Sequence, residues 1–195
     1  GDPEPVVLAG ELQGQLTDQL SIPVRTHEEF HPVLVPNEAG ETILDVGQNL
    51  AGIFTLHVQL PKDGQVRIQA GEVLQDGQFY RDNLRTAKAE FRYTSDGQEH
   101  VVRPHFTFYG FRYLKVEGIE NFNPEDITVY ALYSDMPMKS QLKTGHAKLN
   151  QFLSNVSWGM KSNFVDLPTD CPQRDERMGW TGDSQVFSET ACFLA

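Results

Sequence analysis

The sequence contains no run of about 18 apolar residues, the minimum for a membrane-crossing helix, so no helical span is expected. It has only two cysteines, Cys171 and Cys192, and neither lies in a CxxC pair or at a metal-ligand spacing. Two thiols close at most one disulfide, and both read as free. Cations are scarce: 16 lysines and arginines face 27 aspartates and glutamates, for a formal charge of −11. A field of that sign does not attract phosphate backbones or anionic lipid surfaces, so neither nucleic acid nor membrane is an expected partner. The plain reading of the acidity is a solvated surface. The opening residues, Gly1-Asp2-Pro3-Glu4-Pro5, lack an initiator Met and the charged and apolar regions of a secretory leader. They read as the start of a processed or excised piece, with compartment and oligomeric state left open. Residues 184–195 keep a helical pattern with no Gly, Pro, Lys or Arg stop signal, which points to a fragment as well.

Residues 1–40 carry several prolines and glycines and two apolar patches, Val6-Val7-Leu8 and Val33-Leu34-Val35, and read as a linker or strand-bearing lead-in. From residue 42 to about 133 the pattern is β. Phe54, Leu56, Val58 and Leu60 alternate with Ile53, Thr55, His57 and Gln59, the period of a half-buried strand. Pro61-Lys62-Asp63-Gly64 then punctuates as a turn, and Val66, Ile68 and Ala70 begin a second alternating run, which together predict a hairpin. Asp76-Gly77 and Asp96-Gly97 are further turn signals. Residues 106–116 are aromatic and β-branched almost throughout, and residues 127–133 close the set. Short strands at such spacing predict an antiparallel β-sandwich over residues 41–135.

Near Met136-Pro137-Met138 the period changes. Leu149, Phe152, Leu153, Val156, Met160 and Phe164 fall on one face of an amphipathic helix that Leu167-Pro168-Thr169 should end. A second helix is expected from about Asp183. Residues 136–195 therefore read as the start of an α-helical domain.

The chemistry concentrates between these helices. Within residues 170–183, Asp170, Asp175, Glu176 and Asp183 supply carboxyl groups, interleaved with Arg174, Arg177 and Trp180 and broken by Pro172, Gly179 and Gly182. Glycosidic cleavage needs a carboxylic acid to protonate the leaving oxygen and further carboxylates to hold hydroxyls and offset oxocarbenium charge. An aromatic plane suits the apolar face of a pyranose. The bland alternative is a solvated, salt-bridged turn in which Asp183 caps the next helix. Calcium is a third reading by ligand type, but the spacing is not that of an EF-hand.

The loop resembles the signature of bacterial α-L-rhamnosidases, a family of inverting glycoside hydrolases with an (α/α)6-barrel catalytic domain. The similarity extends through Ile43-Leu44-Asp45-Val46-Gly47-Gln48-Asn49-Leu50-Ala51-Gly52, Gly71-Glu72-Val73-Leu74, Tyr80 and Asn83. It continues in Pro104-His105-Phe106-Thr107-Phe108-Tyr109-Gly110-Phe111-Arg112-Tyr113, Trp158, Asn163-Phe164 and Pro168-Thr169-Asp170-Cys171-Pro172. It covers roughly residues 42–195. The resemblance implies a β-sandwich followed by the first helices of a truncated barrel, no cofactor, and rhamnose-containing glycosides, oligosaccharides or polysaccharides as substrates. It implies Glu176 as general acid, Asp170 and Arg174 as ligands of the sugar hydroxyls, Asp183 as a further such ligand or a group that tunes Glu176, and Trp180 packed on the sugar. Asp175 is expected to point elsewhere. The general base would come from far downstream, so the 195 residues alone are expected to be inactive.

The six histidines show no ligand spacing, and no metal is expected; His105 reads as a packed sandwich residue. Of Phe106, Phe108, Tyr109, Phe111 and Tyr113, at least half should face a core, the rest being available as a sugar platform. The runner-up function is a free-standing carbohydrate-binding β-sandwich without catalysis.

Overall fold

The structure, a computed structural model, describes residues 5–7, 10 and 13–195. Gly1 to Glu4 and Leu8 of the first apolar patch lie outside the described residues; Val6 and Val7 are exposed. The strands are β1 (Val24–Phe30), β2 (Val33–Val35), β3 (Thr42–Gln59), β4 (Gln65–Gly71), β5 (Val73–Gln75), β6 (Gln78–Tyr80), β7 (Glu90–Thr94), β8 (Glu99–Val102), β9 (Tyr109–Glu117) and β10 (Ile127–Ser134). Helix α1 (Ala147–Asn163), the short strands β11 (Phe164–Val165) and β12 (Leu167–Pro168), and helix α2 (Thr181–Leu194) follow. None of the described helices is long and apolar enough to cross a membrane.

The architecture is mainly antiparallel β, a sandwich held together by β3. One edge of β3 pairs with β9 over residues 42–52 and then with β8 over residues 56–59; its other edge pairs with β2 and then with β10. The strand order is β1-β10-β3-β9-β4-β7. A strand 18 residues long can serve both layers because its ladder with β9 is interrupted. Asp45 faces Tyr113, yet the next registered pair is Leu50 with Phe111, and Gly47 takes φ +82° between them. Such a bulge bends a strand and increases its twist. Asp45 holds the bend by accepting from the Gly47 N–H at 2.7 Å and by pairing with both the Nε and a terminal nitrogen of Arg112 at 2.8 Å.

The predicted alternation holds in the second half of the run, where Leu56 and Val58 are buried and His57 and Gln59 exposed; before it Phe54 and Ile53 are both buried and Thr55 half-buried. Phe54, Leu56 and Val58 join Val66, Ile68, Phe111, Leu114, Ile127 and Val129 in one apolar core. Burial of this kind is the main favourable term in folding. The predicted β3–β4 hairpin does not form. The 61–64 turn is present, with the Gly64 N–H on the Pro61 carbonyl at 2.9 Å, but β9 lies between β3 and β4. The turn carries the chain across the sandwich, because the end of β3 pairs with β10 and β8 while β4 pairs with β9 and β7. Asp76-Gly77 does make a hairpin, between β5 and β6, with φ +52° and +75° at its two residues. Positive φ at both positions is what a tight two-residue turn requires.

Part of the expected lead-in belongs to the sheet, with β1 paired to β10 and β2 to β3. The aromatic run starts its strand late: Tyr109 and Phe111 are buried, but Phe106 is fully exposed at φ +56°. His105 is exposed rather than packed, because it sits in the loop before β9.

Helix α1 docks by its C-terminal half. Met160 is buried, the Ser162 hydroxyl accepts from the Ala51 N–H at 3.2 Å, and Trp158 meets Phe30 edge-on at 5.9 Å. Leu149 and Phe152, expected on the packed face, are exposed. The helix ends at Asn163, before the predicted Leu167-Pro168-Thr169, because β11 and β12 form a tight reversal with Asp166 at φ +69°. Both the N–H and the hydroxyl of Thr169 donate to the Asn163 carbonyl, at 2.9 and 3.1 Å, closing that reversal.

Candidate active site

The chain between β12 and α2 has no regular element and is shaped by its own polar contacts. Asp170 closes it into a ring: its N–H donates to the Met178 carbonyl at 3.1 Å and its Oδ1 accepts from the Met178 N–H at 2.9 Å. The ring rests on β9. A Cβ added to Gly110 would stand 2.8 Å from Pro172 and Gln173 backbone atoms, so glycine lets the loop lie against the strand. Arg177, at φ +52°, turns inward beneath the loop, donates to the Phe108 carbonyl at 3.0 Å and sits 4.6 Å over the Phe108 ring. Burial pushes the Arg177 guanidinium below its ordinary pKa.

Glu176 is the hub. Its Oε2 accepts from Arg174 Nε at 3.0 Å and from Arg85 at 3.3 Å, and its Oε1 accepts from the Trp180 indole N–H at 3.1 Å. Arg174 also reaches Asp170 Oδ2 at 3.1 Å, so one guanidinium bridges two carboxylates. The Asp170 side chain is only 6% exposed. Burial opposes its ionisation, but the Met178 N–H, the Cys171 thiol and the Arg174 charge outweigh it and hold the carboxyl below its ordinary range. Cys171 is buried, and that burial pushes its thiol up.

Asp170, Arg174, Glu176 and Trp180 thus come together as one network. Asp183 does not join it. The N-cap position is held by Trp180, whose side chain makes no capping hydrogen bond, and Asp183 lies inside the first turn of α2. Asp183 and Asp170 instead both line a cleft of about 720 Å³ between α1 and α2, together with Val156, Met160 and Phe187. Asp170 also lines a second cleft of about 570 Å³, together with Arg174, Trp158, Arg112, Asn49 and Glu72. Asp175 points away from both and accepts from the Thr86 hydroxyl.

Sequence reasoning missed Arg85, which lies 91 residues from Glu176 in the chain. Its only signal was proximity to the similar segment ending at Asn83. Asp170, Cys171 and Glu176 bring potential metal-ligand atoms within 4.8 Å of one another. The Arg174 guanidinium lies on both carboxylates and already supplies the positive charge there.

Two family models match the chain. The bacterial alpha-L-rhamnosidase concanavalin-like domain covers residues 36–133, and the bacterial alpha-L-rhamnosidase 6 hairpin glycosidase domain covers residues 137–195. The chain belongs to the bacterial α-L-rhamnosidase family. An α-L-rhamnosidase of Formosa agariphila is 42% identical over 164 residues, which is 81% of this chain and 18% of that protein. The crystal structure of the Streptomyces avermitilis α-L-rhamnosidase complexed with L-rhamnose superposes with a TM-score of 0.85 at 39% identity, covering 90% of this chain and 18% of that one. The α-L-rhamnosidase structure from Dictyoglumus thermophilum gives 0.86 at 33% identity, covering 93% and 21%. The chain therefore spans about a fifth of the length of these rhamnosidases.

Proposed function

We propose that this chain carries the acid half of an inverting α-L-rhamnosidase site that releases terminal non-reducing α-L-rhamnose from rhamnosides. In this reading residues 41–135 are the sandwich that supports the loop, and residues 136–195 open the helical catalytic domain. Glu176 is the general acid. It protonates the glycosidic oxygen as the bond to the anomeric carbon breaks, while water attacks the opposite face and inverts the centre. Asp170, Arg174 and Asp183 hold sugar hydroxyls, and Trp180 packs against the ring.

The observation that carries this reading is the position of Glu176. Both its oxygens are oriented by fixed donors, yet its side chain is 29% exposed, so a glycosidic oxygen can reach it. Asp170 does not suit the role of base. Its oxygen lies within 4.8 Å of that of Glu176, and Arg174 bridges the pair. Inversion needs roughly 6.5–9.5 Å to admit a water. The water-activating carboxylate is assigned to the part of the rhamnosidases that this chain does not span.

The test is made in the rhamnosidase polypeptide that carries this sequence. Glu176→Gln should lower kcat on a rhamnosyl disaccharide by about 10²–10⁴-fold. The loss on 2,4-dinitrophenyl α-L-rhamnoside should be far smaller, because that phenolate leaves without a proton. Equal losses on both substrates, or full activity, would remove Glu176 from the role.

A further inference from the structure

One carboxylate of the site loop has no task in the reaction. Asp175 lines neither cleft, yet it is bonded. Its carboxylate accepts from the Thr86 hydroxyl, and that bond, with the Arg85 charge beside it, holds the carboxyl below its ordinary range. Arg85, the neighbour of Thr86, lies 3.3 Å from Glu176, the neighbour of Asp175. Two consecutive residues of the sandwich thus grip two consecutive residues of the loop, across separations of 89 and 91 residues.

The gripping segment is itself held. Leu84 is buried, its N–H donates to the Arg81 carbonyl at 2.9 Å, and its carbonyl accepts from the Ala87 N–H at 3.1 Å. On one side Asn83 donates to Glu72 at 3.1 Å; on the other the Ala89 carbonyl accepts from Ala70 of β4 at 2.9 Å. Arg81 spans the segment to reach the Lys88 carbonyl. Between these ties Arg85 stands at φ +57° and ψ −118°, a backbone conformation that favours glycine. A residue with a side chain persists there only where its surroundings over-determine it, and such positions cluster at functional sites. The Arg85 side chain is 59% exposed, so its ion pair contributes little to stability. What a fixed guanidinium at that place can do is aim a carboxyl group.

We infer that Arg85, Thr86 and Asp175 are positioning residues: the sandwich segment clasps the site loop through them and sets the direction in which Glu176 faces the leaving oxygen. The contacts divide the task. Thr86 on Asp175 fixes the loop beside the acid, and Arg85 shares Oε2 of Glu176 with Arg174 while Trp180 holds Oε1. An acid displaced from the leaving oxygen transfers its proton less effectively, with no change in how the sugar is held. This inference rests on Glu176 being the acid.

The experiment measures kcat and KM in the rhamnosidase polypeptide that carries this sequence, on a rhamnosyl disaccharide and on 2,4-dinitrophenyl α-L-rhamnoside. Thr86→Val, Asp175→Ala and Arg85→Met should each lower kcat on the disaccharide about 2- to 10-fold, the worth of one hydrogen bond, with little change in KM. Their losses on the dinitrophenyl substrate should be far smaller, because that phenolate leaves without a proton. All three positions are exposed, so a purely structural role would not separate the two substrates. Thr86→Ser keeps the hydroxyl and should lose less than Thr86→Val. Thr86→Val combined with Asp175→Ala should cost no more than either alone, since both remove the same bond. Equal losses on both substrates, losses confined to KM, additive losses in the double variant, or a Thr86→Ser as impaired as Thr86→Val would overturn the clasp. Glu176→Gln is measured alongside. If it depresses both substrates equally, the acid assignment falls and the clasp with it; if it separates them and the clasp variants do not, the clasp alone is removed.

Discussion

Gly110 and Gln173 lie so close that a Cβ on the glycine would stand 2.8 Å from the Gln173 backbone nitrogen. The central strand β9 and the site loop are therefore in backbone contact, and the sandwich is the seat on which that loop is set. Gly110→Ala must move the loop, since neither backbone can yield as a flexible side chain would. Its expected signature is a fall in kcat/KM of tenfold or more alongside a lowered Tm. A variant with unchanged kinetics would show that the seat is not required.

Trp180→Phe keeps an aromatic plane and removes the indole N–H that Glu176 Oε1 accepts at 3.1 Å. An ordinary hydrogen bond contributes about 0.5–1.5 kcal/mol, so kcat/KM should fall roughly 2- to 10-fold as Glu176 loses that orienting contact. In a Glu176→Gln background the same change should have a much smaller effect, because coupled residues are not additive. Equal losses in both backgrounds would mean that Trp180 acts only by stacking.

Arg174→Lys keeps the charge and loses the fork that reaches Glu176 and Asp170 together. An ammonium cannot reproduce two oriented contacts from one planar group. The lysine variant should therefore resemble Arg174→Met in kcat/KM more than it resembles wild type, which steady-state kinetics on an aryl rhamnoside can decide.

The contact between sheet and helix should be acid-sensitive. Lys161 of α1 lies 2.5 Å from Glu28 of β1, and Tyr133 of β10 donates to the same carboxylate at 2.9 Å. Burial opposes ionisation of Glu28, but Lys161, a backbone N–H and Tyr133 hold its pKa below the ordinary carboxylate value. A carboxyl lowered in the folded state stabilises above its unfolded pKa, about 4.3, and that contribution is lost as pH falls through the folded value. Urea midpoints of wild type and Glu28→Gln should differ at pH 6 and converge toward pH 3. A gap that stays constant would exclude Glu28 as the sensor.

The two thiols should be distinguishable. Cys192 is exposed on α2, whereas Cys171 is 3% exposed and its thiol is raised by burial beside Asp170. Thiolate is the reactive form, so an aromatic disulfide reagent should modify Cys192 first in the native chain and Cys171 only on unfolding. Rapid reaction at Cys171 in a Cys192→Ser variant would contradict that burial.

What could be read in advance is what neighbours in sequence decide. The alternation of Phe54, Leu56 and Val58 identified the buried face of β3, and Asp76-Gly77 identified a two-residue turn, because period and turn chemistry are local properties. The polar cluster from residue 170 onward was legible for the same reason: its carboxylates, arginines and tryptophan lie within a few residues of one another.

The tertiary structure decided what those signals shared with other arrangements. Pro61-Lys62-Asp63-Gly64 makes a turn whether the strands beside it pair or separate, and only the insertion of β9 showed that they separate. Asp183 read equally well as a cap or a sugar ligand until Trp180 took the cap position and left it lining the cleft. Arg85 met Glu176 across 91 residues, a contact that no local pattern encodes. Sequence alone determined which groups this protein brings to its loop; packing of distant strands determined which of them meet, because burial selects contacts by fit in space and not by separation along the chain.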